Sequence, residues 1–231
     1  MKKPIKLETL KQGQYFKYDE RLEFVKLDNS HGGCLCLAAD VWFNARFDEN
    51  DKNNWEISSL RKELTARIGE FIPIDNLIPF DRDLITDDGL TEYGMCTDVV
   101  SLLTCDEYRR YRKLIPNCGK SHWTITADSL EYSCVVRFVS SGGSLDYYGA
   151  CYGAEGVRPL CVLKSDTIVE VKDSGSHVNC TDKLKKDEIN QVKIDALTKL
   201  KEKIQKSKLN DDTAEIILDM IEEIQNAENK G

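Results

Sequence analysis

The chain has 231 residues, 41% of them hydrophobic and 31% charged, and a net charge of −8. That length suits one sizeable domain with an appendage, or two small domains, and no apolar run approaches the ~20 residues that a membrane span requires. The acidic balance argues against general phosphate-backbone binding, so direct nucleic-acid binding is not expected, and the lysine-bearing start lacks the apolar stretch of a signal peptide.

The opening section reads as strands. "QYFKYD" and "LEFVKL" carry aromatic and β-branched residues, and "DNSHGG" supplies turn chemistry before "CLCLAADVWF". "NNWEISSLRKELTARIGEF" predicts a helix, with Trp55, Leu60, Leu64 and Ile68 at near-helical spacing, Asn54 as cap and Gly69 as stop. A connector with two prolines follows, and "TDVVSLL" reads as a buried strand. Thr104 and Glu107 fit a capping box that opens a second helix, which Pro116 stops.

"CVVRFV", "SSGGS" and "LDYYG" form a hairpin signal, because Gly142-Gly143 can turn with positive φ. "VRPLCVL" is a third strand, in which Pro159 limits the available ladder positions, and Ile168, Val169 and Val171 mark a last strand. Residues 173–186 read as a polar linker. Two apolar stripes, Ile189 to Ile204 and Ala214 to Ile224, predict a helical hairpin over 187–228. Its excess apolar face favours a homodimer through that hairpin.

Three segments together resemble a widespread domain of unknown function found in Firmicutes genomes and their phages. They are "NNWEISSLRKEL" (Asn54, Trp55, Ser58, Leu60, Arg61, Leu64), "DVVSLLTCDEYRRY", and the run from "HWTITADS" to "GVRPLCVL". The family pattern is Asn-x-Trp…Ser-x-Leu-Arg, an Asp-x-Val-x-Leu-Leu-Ser strand, Trp-Trp-Leu-Arg-Ser, and Gly-Val-Arg-Pro-Ala-Leu. In this chain His122-Trp123-Thr124-Ile125-Thr126 stands where the family has Trp-Trp-Leu-Arg-Ser. The resemblance spans residues 10–170. It implies a C-type-lectin-like α+β fold, distantly similar to that of formylglycine-generating enzymes, with a mixed core of two helices and short strands over residues 1–172. It also implies a phage-associated protein acting in the cytoplasm of a bacterial host.

Nine cysteines without a Cys-x-x-Cys pair, and only three histidines, point to buried reduced thiols and to no metal and no cofactor. There is no P-loop, Gly-x-Ser-x-Gly elbow or His-Glu-x-x-His, so an enzyme is not expected. Candidate partner-binding residues are Asp146, Tyr147, Tyr148 and Tyr152, because exposed Tyr among Gly and Ser makes an adaptable recognition surface. Trp55, Arg61, Trp123, Arg158 and Pro159 read as structural. For Arg158 the alternatives are an anionic ligand or a tie to a carboxylate or to loop carbonyls. The function expected is non-catalytic binding, chiefly of a protein. A phage-encoded inhibitor of a bacterial defence system and a carbohydrate-binding adhesin are the alternatives.

Overall fold

A strand that is apolar at every position needs cover on both faces. "CLCLA" and "LCVL" are two such strands, and each is buried throughout. The computed structural model describes residues 4–153 and 155–171. In chain order the strands are β1 (Ile5–Lys6), β2 (Tyr15–Lys17), β3 (Glu23–Asp28), β4 (Cys34–Ala38), β5 (Phe43–Ala45), β6 (Leu77–Ile78) and β7 (Phe80–Asp83). They continue with β8 (Met95–Asp98), β9 (His122–Ala127), β10 (Val135–Val139), β11 (Leu145–Gly149), β12 (Glu155–Val157), β13 (Leu160–Leu163) and β14 (Ile168–Val171). The helices are α1 (Ser59–Phe71) and α2 (Cys105–Tyr111).

These strands form a seven-stranded sheet, β1-β14-β2-β3-β4-β13-β6, a five-stranded sheet, β11-β10-β9-β12-β5, and the pair β7-β8. Residues of β4 and β13 alternate between two cores. Cys34, Cys36, Ala38, Cys161 and Leu163 face a core that contains Leu60, Leu64 and Ile68 of α1. Leu35, Leu37, Leu160 and Val162 face one that contains Tyr108 and Tyr111 of α2. Each fully buried Leu or Ile contributes about 2 kcal/mol.

The "GVRPL" run is where the chain changes sheets. β12 pairs with β5 and β9, and β13 with β4 and β6. Arg158 and Pro159 lie between them. The β4-to-β5 connection makes the same crossing alongside: Ala38 N–H donates to Pro159 O at 2.8 Å and Trp42 N–H to Val157 O at 2.9 Å. A Cβ on Gly156 would sit 2.5 Å from Ser121 O, so only glycine lets these backbones approach.

The structure corrects the α+β, C-type-lectin-like expectation. The regular structure of the described residues is mostly β-sheet, with fourteen strands in three sheets and only two α-helices. Segments 77–83 and 95–98 supply strands of two to four residues, too short for a clear alternation, and His122–Ala127 supplies the buried central strand β9 of the five-stranded sheet. The linker 173–186, the hairpin 187–228 and the homodimer assigned to it lie outside the described residues.

Smaller boundaries differ too. Asn54 caps a single 3₁₀ turn, Trp55–Ile57, and Ser58 caps α1 by accepting the Arg61 N–H. Gly69 does not stop α1. The helix runs to Phe71 and ends because Ile72, preceding Pro73, is driven to the extended region (φ −132°, ψ 125°). In "TDVVSLL" only the start is strand; Val100 to Leu103 are buried, and the segment joins β13 by one bridge, Ser101 to Leu160. The Thr104 capping box is present, and α2 unwinds at Tyr111, ahead of Pro116, into turns that carry Ile115 into the second core.

Candidate functional site

β11 is an outer strand of the five-stranded sheet, and it carries three of the four candidate binding residues. Its register sets Tyr147 opposite Arg137 and Tyr148 opposite Val136. Strand alternation therefore puts Tyr147 on one face, and Asp146 with Tyr148 on the other. On the first face the Arg137 guanidinium lies 5.9 Å from the Tyr147 ring centre, held by Asp87 at 3.5 Å and Asp128 at 3.1 Å. On the second, Tyr148 and Tyr152 meet edge to face, with centroids 6.4 Å apart and planes at 64°.

That pair ends a file of rings rising from the core. Trp55 meets Phe47, Phe47 meets Trp123, Trp123 meets Phe138, and Phe138 meets Tyr148, each at 5.8–6.3 Å between centroids. Exposure rises from 1% at Trp55 and 0% at Trp123 to 44% at Tyr148 and 64% at Tyr152; Tyr147 is 61% exposed. The structure thus joins Tyr148 with Tyr152 and separates both from Tyr147.

Two glycines hold the pair. A Cβ on Gly149 would lie 2.5 Å from Tyr152 Cδ2, so the ring rests against bare backbone. Gly153, at φ +66°, faces Tyr148 Cε1 at 3.2 Å from the same construction. Exposed rings with a fixed seat lose little conformational freedom on contact with a partner.

The strand edge is partly blunted. Ala150 N–H donates to Cys134 O and Ser140 N–H to Ser144 O, which turns the main chain of residues 146 and 148 toward β10 and that of 145, 147 and 149 outward. The outward Tyr147 N–H donates at 2.9 Å to the Asp146 carboxylate. A charged side chain at an edge opposes sheet-to-sheet association. What this edge leaves exposed is side chains more than free strand-pairing groups.

The residues read as structural are built into the frame. Asp98 accepts from Trp55 Nε1 and from Arg61 Nε, both at 2.7 Å, which ties α1 to the end of β8. Trp123 Nε1–H donates to Ala45 O at 2.8 Å. Arg158, 1% exposed, donates to Ala38 O at 2.8 Å, Ala39 O at 3.1 Å and Pro116 O at 3.4 Å. Its ties are backbone carbonyls rather than a carboxylate, and burial lowers its pKa below the ordinary arginine value.

Two buried polar hubs have no local signature in the sequence. Lys26 places its ammonium on the carbonyls of Leu7, Glu8 and Leu10 at 2.7–2.9 Å. Asn53 donates to Ser129, Tyr132 and Val135 carbonyls and accepts from Tyr93 Oη. Their partners are remote or main-chain groups, so residue type alone does not disclose them.

Burial holds several of the described thiols in their protonated form. All eight are free, and burial pushes the Cys161 pKa to about 12 and that of Cys96 to about 11. Cys118 Sγ lies 4.0 Å from His122 Nδ1, but burial, helped by the Arg158 charge, drops the His122 pKa to about 3. That imidazole is neutral and closed off, with Nδ1 directed to Lys120 O at 3.2 Å. A charged cleft of about 450 Å³ lies between β7 and α2. Two of its arginines are engaged, Arg82 with Glu107 at 2.6 Å and Arg109 with Asp87 at 2.9 Å and Asp106 at 2.7 Å, while the exposed Arg110 lies 3.9 Å from Asp28. Among the described residues no cluster of three or more His, Cys, Asp or Glu is arranged to hold a metal, and no helix is long and apolar enough to cross a membrane. Compared with family models, curated proteins and solved structures, the chain matches none.

Proposed function

We propose that this chain is a non-catalytic binding protein whose Tyr148–Tyr152 face contacts a protein partner in the bacterial cytoplasm. One observation carries the reading: two exposed tyrosines are seated against Gly149 and Gly153 at the end of a ring file anchored in the core. Large aromatic area presented on a rigid support is the chemistry of an interface hot spot. The free, largely buried thiols support a reducing compartment. The resemblance to the Firmicutes and phage domain supports a phage-associated role in the same compartment.

The test is retention from a bacterial lysate on the immobilised full chain, compared with the Tyr148→Ala/Tyr152→Ala double variant. The reading expects a protein that the first retains and the second does not, at matched thermal stability. Equal retention by both would move the interface elsewhere.

A further inference from the structure

We infer that the segment recognised at this face is basic, with an Arg or Lys side chain of the partner seated in the corner between Tyr148 and Tyr152; this rests on the binding reading above. From Asp128 to Val157 the sequence holds four carboxylates, at Asp128, Glu131, Asp146 and Glu155, against one exposable base, Arg137, since Arg158 lies beyond. Arg137 is on the opposite face of the sheet and is engaged by Asp87 and Asp128.

Two of these carboxylates, Asp146 and Glu155, lie beside the tyrosine pair, and Asp51 joins them. Asp146 shares the face of Tyr148. Glu155 Oε1 lies 3.9 Å from the Cβ position of Gly153, the point that Tyr148 Cε1 approaches to 3.2 Å. Asp51 Oδ1 accepts from the Cys151 N–H at 3.2 Å, next to Tyr152. Arg46, whose charge reaches Cys151, is paired with Glu49 at 2.9 Å. Two rings at 64° offer negative ring faces, and the surrounding carboxylates add a field of the same sign, so a cation is the side chain that both attract. A second copy of the chain is a poor occupant, because it would bring two acidic edges together, in a protein of net charge −8.

The experiment is selection of a library of short random peptides on the immobilised full chain. Enrichment of Arg- and Lys-bearing peptides is expected, with retention that falls as salt rises. Asp146→Asn keeps an oxygen for the Tyr147 N–H while removing the charge, and should weaken the selected peptides roughly threefold, as for a rim charge pair. Tyr148→Ala/Tyr152→Ala should weaken them about tenfold or more. Enriched peptides that are neutral or acidic, yet still lost with the tyrosines, would overturn the basic partner and leave the binding face standing. Enrichment of nothing, or of basic peptides indifferent to the tyrosines, would overturn both.

Discussion

Arg158 Nε donates to the carbonyl oxygen of Ala38 at 2.8 Å, across 120 residues of sequence, and so ties one sheet-to-sheet crossing to the other. The remaining guanidinium bonds, to Ala39 and Pro116 carbonyls, close the seam. Arg158→Met keeps most of the volume and removes every donor, stranding buried carbonyls. It should lower stability by about 3 kcal/mol, read as a shift in urea midpoint with an unchanged slope. An unchanged midpoint alongside lost partner binding would make Arg158 a ligand contact instead.

Asp98 joins Trp55 and Arg61, and each of the three depends on the others. Asp98→Ala leaves a buried indole N–H and a half-buried guanidinium without their shared acceptor. A loss of about 2–4 kcal/mol is expected. A double-mutant cycle of Asp98→Ala with Trp55→Phe should show non-additivity; purely additive losses would contradict the shared-acceptor geometry.

The residues from Asn54 to Arg61 and the Arg158-Pro159 pair lie in the framework. Asn54 and Ser58 cap turns, Trp55 and Arg61 meet Asp98, and Arg158 with Pro159 makes the sheet crossing. Local chemistry made much of this legible: caps, the Gly143 turn at φ +85°, and the all-apolar strands need only neighbours in sequence. What was not legible depends on distant partners. Nothing near Lys26 signals three carbonyls from Leu7 to Leu10, and the split of "GVRPL" between two sheets follows from pairing with β4, β5 and β9. Of the candidate site, exposure of the tyrosines was readable from their Gly-rich setting. The separation of Tyr147 from Tyr148 needed the register with β10.

His122 sets a pH dependence. Burial, with Arg158 nearby, takes its pKa from the ordinary 6.5 to about 3, so between those values the unfolded chain binds a proton that the folded chain does not. Stability is unpenalised above pH 6.5 and falls as pH drops toward 3, by up to about 1.4 kcal/mol per pH unit. Thermal unfolding across that window should show the slope, and His122→Asn should flatten it by close to one proton. An identical slope in the variant would assign the titration to other groups.

Glu107 adds a second acid-sensitive contribution at lower pH. Burial works to raise its carboxyl pKa, but the Arg82 fork and the Thr104 N–H and hydroxyl outweigh that and hold it below the ordinary 4.5. Its contribution is present above pH 4.5 and is lost as pH falls through the lowered value. Glu107→Gln should therefore cost stability at neutral pH and progressively less in acid, measured as converging melting curves. A constant difference at every pH would exclude the ionic contribution.

The binding face is tested most directly by hydrogen–deuterium exchange on the full chain, with and without a saturating peptide selected on it. The account predicts slowed exchange at residues 145–153, centred on Tyr148 and Tyr152, with the charged cleft between β7 and α2 unchanged. Protection confined to that cleft, with exchange at 145–153 unaltered, would contradict it.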